Sequence, residues 1–489
     1  MDSLEPLHLS TEPQKSEYDA VVVGSGPNGL AAAITLARES RSVLVIEACE
    51  SIGGGTQSQG LTRPGFIHDV CSAVHPLGVM SQFFKEIPLS DFGLEWITPE
   101  ASVVHALAPE TPVTLYPSLA KTADGLGRDG DAYQKLFGPF IRRGETLLDE
   151  ILSPFSLMPR DPLLMARFGC RGIASATRLA ARWFREDESK ALFAGMAAHA
   201  TLPLENRFTA AVGLMFGVIG HMHSWPVARG GSRSISDAMA RYLQSLGGEI
   251  IVGNRIETLE QLPKSRAILL DVIPRIACDI VGEKFSPRVR KRLRRFRHGP
   301  GSFKVDWALD GPVPWRHPDF SKAATVHIGG TIEEVARAES APWNDQCAES
   351  PFVLFSQQSL FDETRAPEGQ HTGWGYCHVP HGTTEDVTER IEAQIERFAP
   401  GFRELIIDRH VLDIKGMESH NANYVGGDIS GGVMDIGQVL VRPLSVVSPY
   451  ATPAKGIFLC SSSTPPGPGV HGLCGFFAAQ AALRTALRA

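Results

Sequence analysis

The chain has 489 residues, and its composition is close to that of an average globular protein. Hydrophobic residues make up 43% and charged residues 21%, which excludes a disordered or collagen-like chain. The formal net charge of -7 argues against a general nucleic-acid binder, although it leaves room for a local basic patch. The length predicts more than one domain, and small molecules are the expected partners.

The eight cysteines form no Cys-x-x-Cys pair, so the sequence contains neither a dithiol redox motif nor a zinc ribbon. Reduced thiols fit a cytoplasmic protein best. Residues 1–17 are polar and lack the apolar stretch of a signal peptide, so we expect a flexible leader. No run reaches the roughly 18 apolar residues of a membrane-spanning helix. We therefore expect a soluble chain, with attachment to a membrane surface as the remaining alternative.

The first predicted elements are a strand, a helix and a second strand within thirty residues. An apolar run at 18–23 predicts a strand, the Ala- and Leu-rich stretch 30–38 a helix, and the β-branched stretch 42–47 a second strand. This order is typical of a βαβ unit with parallel strands. The stretch 66–94 is mixed and loop-like, and 130–222 is mostly helical, which predicts an inserted helical region.

Strand and helix signals then alternate to the end of the chain. A helix at 232–246 and a strand at 249–252 return the chain to α/β character, which predicts a second stretch of the nucleotide domain. The last block, 456–489, predicts a strand, a Gly/Pro/Ser loop and an Ala-rich helix. Between these blocks we predict strands at 268–271, 303–309, 323–329 and 351–357 and helices at 286–296 and 386–398.

A glycine-rich turn with the pattern G-x-G-x-x-G follows the first predicted strand. The turn residues expected to hold a dinucleotide are Gly24, Gly26, Pro27, Asn28 and Gly29. Glycines permit the tight turn and close approach to a pyrophosphate, and the following helix offers free N–H groups. Glu47 ends the second strand, and its carboxylate suits a ribose diol but repels a 2′-phosphate, which favours FAD or NAD over NADP. The alternative is a plain glycine turn in a generic α/β protein.

The residues after Glu47 favour FAD over NAD. Three glycines begin six residues later, and in flavoproteins such glycines let the chain pass against the other side of the pyrophosphate. The expected contacts there are Ala48, Gly54, Gly55 and Thr56. No second G-x-G-x-x-G follows a strand, so electrons are expected to leave through an acceptor such as oxygen or a quinone. The alternative is a flexible turn without a cofactor role.

The C-terminal block predicts a third cofactor contact. After the strand at 456–460, a loop leads into a helix and again directs N–H groups and a helix dipole at an anion. If the loop closes over the isoalloxazine ring, these groups favour negative charge on the reduced ring. The candidate contacts are Ser461, Gly469, Val470 and Gly472. A purely structural turn and helix is the alternative.

Several motifs together resemble those of the phytoene desaturase-like FAD-dependent oxidoreductases. They are the front glycine turn, the run 66–76, the C-terminal run 460–472, and shorter matches at 229–232, 304–309 and 423–429. The branch that is most similar is labelled pyridine nucleotide-disulfide oxidoreductase domain-containing. The missing cysteine pair contradicts the disulfide chemistry in that label, and the Pro-rich stretch 465–468 is stiffer than the glycine-rich loop usual in the family.

The resemblance implies an α/β fold with a doubly wound Rossmann-type FAD domain, assembled from discontinuous segments, and an inserted substrate domain of mixed β-sheet and helices. It also implies that the backbone near Ile256 contacts the adenine. The expected FAD-binding segments are 18–85, 226–285 and 441–489, and the expected substrate-domain segments are 86–225, a helical insertion, and 286–440.

The same resemblance implies a dehydrogenase or desaturase. Such an enzyme accepts a hydride at flavin N5 from a C–H bond of a mostly apolar organic substrate. Three alternatives stay open: a redox-neutral double-bond isomerase, an amine oxidase on the same fold, and a non-catalytic nucleotide-binding scaffold.

Three histidines are candidates for acid–base work beside the flavin. His471 is the first because histidine titrates near neutrality and this one lies in the C-terminal loop. His68 and His75 lie with Asp69 in the stretch that the resemblance places near the flavin. For each of them, a hydrogen-bonded structural role is the alternative.

Two histidine pairs have the spacing of metal ligands, namely His221 with His223 and His378 with His381. Neither pair has an evident third ligand, so no metal site is expected.

Two charged segments raise the question of a membrane contact. The dense basic run 288–298 fits a solvated helix face, with an anionic membrane surface as the alternative. The Arg-studded apolar segment 160–185 fits a lipid-facing lid and buried helices equally well. The sequence does not specify an oligomeric state.

Overall fold

A computed structural model describes residues 6–155, 158–439, 441–445 and 448–488. Residues 1–5 of the predicted leader and residue 489 lie outside the described part of the chain. Farther along the leader, Ser10 forms a parallel bridge with Ile251, and its carbonyl accepts a hydrogen bond from Val252 N at 2.9 Å. This part of the leader lies along the edge of a sheet.

The strands are β1 (Glu17–Val23), β2 (Val43–Ile46), β3 (Ser58–Gln59), β4 (His68–Asp69), β5 (Trp96–Ile97), β6 (Val103–Ala108), β7 (Thr111–Leu115), β8 (Val227–Ala228), β9 (Glu249–Ile251), β10 (Lys264–Leu270), β11 (Gly301–Leu309), β12 (Thr325–Ile328), β13 (Val353–Ser356), β14 (His371–Val379), β15 (Ile406–Leu412) and β16 (Ile457–Leu459).

The helices are α1 (Pro27–Arg38), α2 (Pro76–Met80), α3 (Gln82–Lys85), α4 (Leu119–Asp124), α5 (Gly130–Ile141), α6 (Gly144–Ile151), α7 (Pro162–Gly172), α8 (Ala176–Trp183), α9 (Asp187–Ala198), α10 (Thr209–His223), α11 (Arg233–Ser245), α12 (Pro274–Val281), α13 (Pro287–Arg294), α14 (Ile332–Ser340), α15 (Thr388–Phe398), α16 (Ile414–His420), α17 (Ile436–Val439) and α18 (Leu473–Arg484).

The first sheet has five parallel strands in the order β16-β10-β1-β2-β9. The central strand β1 is apolar and buried over its last four residues, as expected for a parallel strand covered on both faces. The five strands come from three separated stretches of the chain, and helices α1 and α18 pack together beside them. The predicted α/β fold class with a discontinuous Rossmann-type sheet is therefore confirmed.

The second sheet has seven strands in the order β15-β11-β14-β13-β12-β6-β7 and is mixed, because only the β12–β6 pair is parallel. All nine residues of its strand β11 are buried. The sequence predicted β11, β12 and β13 but not β6, β7, β14 or β15. In β14, Gly373 and Gly375 weaken the strand signal, and their missing side chains leave room for the ring of Trp307, which a Cβ would approach to 3.2 Å.

The predicted helical region at 130–222 is confirmed as helices α5 to α10. Helix α10 is apolar on almost all sides and is buried among its neighbours, as expected for a helix inside a domain. Helix α1 begins at Pro27, three residues before the predicted start, because proline is well tolerated in the first helical turn. Among the described residues, no helix is long and apolar enough to cross a membrane.

Candidate functional site

A cavity of about 1070 Å³ runs from the glycine-rich turn of the parallel sheet to the helical region. Its walls include the residues just after β1, β2 and β10, which is the edge where parallel α/β sheets bind ligands. Pockets for small ligands usually enclose about 300–1,000 Å³. The cavity therefore has room for an extended cofactor together with a second molecule.

The glycine-rich turn is packed so tightly that side chains are excluded from it. A Cβ on Gly29 would lie 2.1 Å from the carbonyl oxygen of Gly24, and a Cβ on Gly26 would lie 2.9 Å from Oδ2 of Asp271. Gly24 has φ +102°, a conformation that favours glycine. Gly26 caps helix α1 without a side-chain hydrogen bond, so the positive end of the helix faces the cavity as an anion site.

Glu47 follows β2 directly and is held in one orientation. Its Oε2 accepts hydrogen bonds from Ser25 N at 2.9 Å and Ser25 Oγ at 2.6 Å, and its Oε1 accepts one from Cys49 N at 2.9 Å. A carboxylate has about four acceptor positions, so the half-buried Glu47 keeps capacity for a ribose hydroxyl in the cavity.

The second glycine cluster packs directly on the first. A Cβ on Gly54 would lie 3.2 Å from Cα of Gly26, and a Cβ on Gly55 would lie 2.7 Å from the hydroxyl oxygen of Tyr424. Thr56 is buried behind this turn, where its hydroxyl donates to the Gly53 carbonyl at 2.7 Å. These two cradles, together with the ribose carboxylate, fit the predicted FAD.

The cavity wall includes most of the residues predicted to hold the cofactor. Those lining it are Gly24, Gly26, Pro27, Asn28, Glu47, Ala48, Gly54, Gly55, Ile256, Ser461, Gly469 and Val470. Gly29, Thr56 and Gly472 do not line the wall and shape the turns behind it. Gly472 caps helix α18 in a left-handed conformation, and a Cβ there would lie 2.8 Å from Cβ of Ala31.

His471 lines the cavity, but both of its ring nitrogens are already used. Nδ1 accepts a hydrogen bond from Leu473 N at 3.0 Å, so Nε2 carries the proton and donates to the Gly467 carbonyl at 3.2 Å. Burial lowers the pKa of His471 to about 4, so the ring is neutral near pH 7. The geometry favours the structural alternative, in which His471 fixes the C-terminal loop.

The ring of His75 differs from that of His471 in its hydrogen bonding. It is buried and lines the cavity, packs against Trp96 with ring centroids 5.7 Å apart, and has no hydrogen-bond partner on either ring nitrogen among the described residues. Burial lowers the pKa of His75 to about 4, so the neutral ring offers one donor and one acceptor. Of the three predicted histidines, His75 is the one whose ring is available to a bound molecule.

His68 is buried outside the cavity wall. Its Nε2 lies 2.8 Å from the Thr62 hydroxyl, and burial lowers its pKa to about 4. The adjacent Asp69 accepts from Arg365 at 2.6 Å. Burial opposes ionisation of Asp69, but Arg365 and further hydrogen bonds outweigh it and hold the pKa of the carboxyl below its ordinary value. Asp69 thus belongs to a hydrogen-bonded structural network, and His68 stays a prediction that the cavity lining does not include.

Among the cavity-lining residues to which the sequence gave no role, three charged ones are buried or contact the glycine-rich turn. Lys304 is buried and pairs with Asp306 within β11. Arg442 is only 2% exposed and donates to the Ser462 carbonyl at 2.9 Å, which ties the C-terminal loop in place. Asp271 follows β10 and contacts the glycine-rich turn. A charged residue directly after a buried strand was the available signal for Asp271, whereas Arg442 lies in a loop without one.

The far end of the cavity is formed by helices α7 and α10 and is mainly apolar. Its lining there includes Met165, Phe168, Ile173, Phe208, Met215 and Phe216. Polar groups at this end are few, and those of His199, Thr201 and Tyr376 line the wall. Burial lowers the pKa of His199 to about 3, so this end holds neutral polar groups.

Among the described residues, no cluster of His, Cys, Asp or Glu side chains is arranged to hold a metal ion. His378 lies 2.8 Å from Glu339, and His381 lies 3.0 Å from the Gly299 carbonyl. His221 lies 2.9 Å from the Tyr133 hydroxyl. The cysteines are all unpaired in the described residues.

The parallel sheet and the glycine cradles define a Rossmann-like nucleotide-binding domain, and the mixed sheet forms the second sheet of the chain. Residues 22–87 match the family model of the NAD(P)-binding Rossmann-like domain. The chain is 24% identical to pyridine nucleotide-disulfide oxidoreductase domain-containing protein 2 of Rattus norvegicus, over 96% of this chain and 94% of that protein. This confirms the resemblance to the branch that carries that label.

Solved structures share the fold at low sequence identity. An oxidoreductase from Methanosarcina mazei has a TM-score of 0.63 at 13% identity and covers 95% of this chain and 100% of its own. Cyclohexylamine oxidase from Brevibacterium oxydans IH-35A has a TM-score of 0.59 at 15% identity and covers 96% of this chain and 98% of its own. These likenesses concern the fold.

Proposed function

We propose that the chain is an FAD-dependent dehydrogenase or desaturase that acts on a mostly apolar organic substrate. The observation that carries the proposal is the continuity of the cavity, in which two glycine cradles and a ribose carboxylate at one end open into an apolar chamber at the other. When bound, FAD supplies a hydride acceptor at N5. The protein then has to hold a C–H bond beside it and exclude water.

The residues of the chain have separate tasks in this proposal. Gly26 and Gly54 give the pyrophosphate access to backbone N–H groups, and Glu47 holds the ribose. His75 offers a neutral donor and acceptor for orienting a polar atom of the substrate. The acceptor that removes the electrons is oxygen or a quinone, since the sequence contains no second dinucleotide motif.

An amine oxidase is the second candidate, because cyclohexylamine oxidase shares the fold. The lining of the cavity favours the first candidate. Glu47, Glu150 and Asp271 are its acidic residues in the described part of the chain, and two of them lie at the dinucleotide end. The apolar chamber thus offers a cationic amine little compensation for the loss of its water.

The test begins with the absorption spectrum of the purified protein. We expect a yellow protein with a flavin spectrum, or an apoprotein that acquires one when FAD is added. Under anaerobic conditions, the bound flavin should bleach with an apolar substrate from a panel of lipids and terpenoids, and mass analysis should show a product two hydrogens lighter.

Other outcomes select the alternatives. Bleaching by amines with release of peroxide in air would support an amine oxidase. A product of unchanged mass, formed without an electron acceptor, would identify an isomerase. A colourless protein that does not bind added FAD would contradict every hypothesis of a flavoenzyme. The non-catalytic nucleotide-binding scaffold would then be the remaining alternative.

A further inference from the structure

The large apolar side chains that are exposed in the described residues are concentrated at the cavity. Six of eight either line it or lie within two residues of one that does. They are Phe155, Met158, Leu163, Ile173, Ile436 and Val441. Leu163 is 85% exposed and Phe155 is 59% exposed. Exposed apolar groups that cluster in this way mark an interaction surface, whereas scattered ones do not.

Helix α7 lies between part of this surface and the cavity, whereas Phe155 and Ile173 are exposed and also line the cavity. Met165 and Phe168 line the cavity from one side of the helix, while Leu163 and Arg167, one turn apart, face outward and are exposed. Asp161 caps the helix through a hydrogen bond from Leu164 N at 3.1 Å, which fixes where the helix begins. At α7 a single layer of helix therefore separates the apolar chamber from the outside, and beside it Phe155 and Ile173 join the chamber to the surface.

The surface around α7 is basic as well as apolar. Residues 158–185 contain six arginines and a single acidic residue, Asp161, which pairs with Arg143 at 3.0 Å. Arg160, Arg167 and Arg178 are exposed, and Arg160 also pairs with Asp149 at 3.6 Å. Apolar residues at the level of the acyl chains, flanked by arginines at the level of the headgroups, are typical of proteins that lie on anionic membranes.

Another part of the cavity wall, the segment that carries Ile436 and Val441, also combines exposed apolar residues with basic neighbours. The segment that carries Ile436 and Val441 is contacted by the basic run 288–298, because Arg292 Nε donates to the Pro443 carbonyl at 3.1 Å. Arg297 of the same run pairs with Asp435 at 2.7 Å. The two basic segments singled out in the sequence thus each adjoin exposed apolar residues at the cavity.

We propose that the mouth patch, defined as Phe155, Met158, Leu163 and Ile173 with Arg160, Arg167 and Arg178, docks on an anionic lipid bilayer. Exposed single apolar side chains with exposed arginines a few residues away match the headgroup boundary of a bilayer better than the continuous complementary surface that a protein partner needs. The apolar chamber then opens towards the lipid, so the substrate enters without crossing water. This last step rests on the proposed function, whereas the docking does not.

The experiment is flotation of the purified full chain with vesicles. We expect binding to phosphatidylcholine vesicles that contain phosphatidylglycerol, weak binding to phosphatidylcholine alone, and release at high salt because surface charges are screened. Leu163→Glu combined with Met158→Glu should abolish flotation, while the matched control Leu9→Glu, at an exposed leucine far from the cavity in sequence, should not change it.

The charge is tested separately with two glutamine substitutions. Each basic residue near an anionic surface contributes about 1 kcal/mol, or roughly a fivefold change in binding. Arg160→Gln with Arg167→Gln should therefore weaken binding to anionic vesicles by about 25-fold. Arg316→Gln, at an exposed arginine of another surface that pairs with Glu110, should leave it unchanged.

Three results would overturn the docking proposal. They are failure of the wild type to float with anionic vesicles, unchanged flotation of the Leu163→Glu, Met158→Glu variant, and a dimer in sedimentation that this variant dissociates. The last result would assign the patch to a second copy of the chain. If the wild type floats but no apolar substrate bleaches its flavin, the docking stands and the proposed function fails.

Discussion

The carboxyl of Asp271 accepts a hydrogen bond from the backbone N–H of Gly29, with 2.8 Å between Oδ2 and N. Asp271 follows the parallel strand β10 and lines the cavity against the glycine-rich turn. Burial raises the pKa of Asp271 to about 7, against the opposing effect of the Gly29 N–H, and Glu47 raises it further. Near pH 7, Asp271 is therefore present in both its protonated and its ionised form, at the place where a pyrophosphate is expected.

We predict that FAD binding weakens as the pH rises. A pyrophosphate placed beside Asp271 repels the carboxylate form, so the protonated form binds better. If only that form binds, a pKa near 7 makes the dissociation constant of FAD rise about tenfold between pH 6 and pH 8. Fluorescence titration of the apoprotein measures it.

Asp271→Asn is the matched control, because an amide keeps the acceptor for Gly29 N–H and has no charge. Its FAD affinity should be high and independent of pH. The other titratable groups that interact with Asp271 are Glu47, Tyr424, Cys460 and Cys474. Burial raises the pKa of Tyr424 and of both thiols above their ordinary values, so these three stay protonated. A pH dependence that persists in Asp271→Asn contradicts the prediction.

Replacement of His471 should mainly destabilise the C-terminal loop, and we do not expect it to remove a catalytic group. His471→Ala leaves Leu473 N and the Gly467 carbonyl without their partners, at a cost of about 1–3 kcal/mol for a buried unsatisfied group. We expect a lower unfolding temperature and weaker FAD binding. If instead stability and FAD affinity are unchanged while the rate of flavin reduction falls and its pH profile loses an ionisation, His471 is a base.

Gly475 should tolerate no side chain, because the backbone of helix α18 lies directly against helix α1 at this residue. A Cβ there would lie 1.7 Å from the carbonyl oxygen of Asn28, so Gly475→Ala must separate the two helices that flank the glycine-rich turn. Overpacking of this kind costs about 1–3 kcal/mol or more. Urea unfolding should show the loss, together with weaker FAD binding.

Gly169→Ala serves as its control. Gly169 also lies inside a helix, α7, but has open space around its Cα, so alanine should stabilise the protein by up to about 1 kcal/mol through helix propensity. Equal destabilisation by both substitutions would show that close helix packing is not the reason for the effect at Gly475.

Arg365→Met should destabilise the protein because it leaves the Asp69 carboxylate buried without its cation. Breaking one side of a buried pair costs about 3–5 kcal/mol. In the wild type, the lowered pKa of Asp69 contributes stability above the ordinary carboxyl pKa that is lost as the pH falls through the folded-state value. In the variant that pKa rises, so Asp69 can bind a proton and the gap to the wild type should narrow from pH 7.5 to pH 5.

Urea unfolding at both pH values measures this gap. The double variant Asp69→Asn, Arg365→Met should recover part of the stability, because it removes the unpaired charge. A gap that stays constant with pH would show that Asp69 is not the group responsible.

The sequence predicted most of the parallel sheet and the glycine-rich turn at the cofactor end of the cavity. Gly24, Gly26 and Glu47 lie within one βαβ unit, where each residue is a few positions from the next and local geometry alone aligns them. The glycine pattern, the strand signals and the helix of the first unit therefore predicted both the sheet and the turn. The C-terminal loop was predicted in the same way, because a strand signal, a Gly/Pro/Ser stretch and a helix signal follow one another there.

Only the tertiary structure decided which groups are free to act. His471 and His75 look alike in the sequence, but His471 has both ring nitrogens hydrogen-bonded within its own loop, whereas those of His75 have no partner among the described residues. Asp271 contacts Gly29, which is 242 positions away, and β14 pairs with β11 and β13 while its glycines leave room for the ring of Trp307. Composition and periodicity report the local preferences of a chain. Hydrogen-bond satisfaction and burial depend on residues that are distant in sequence.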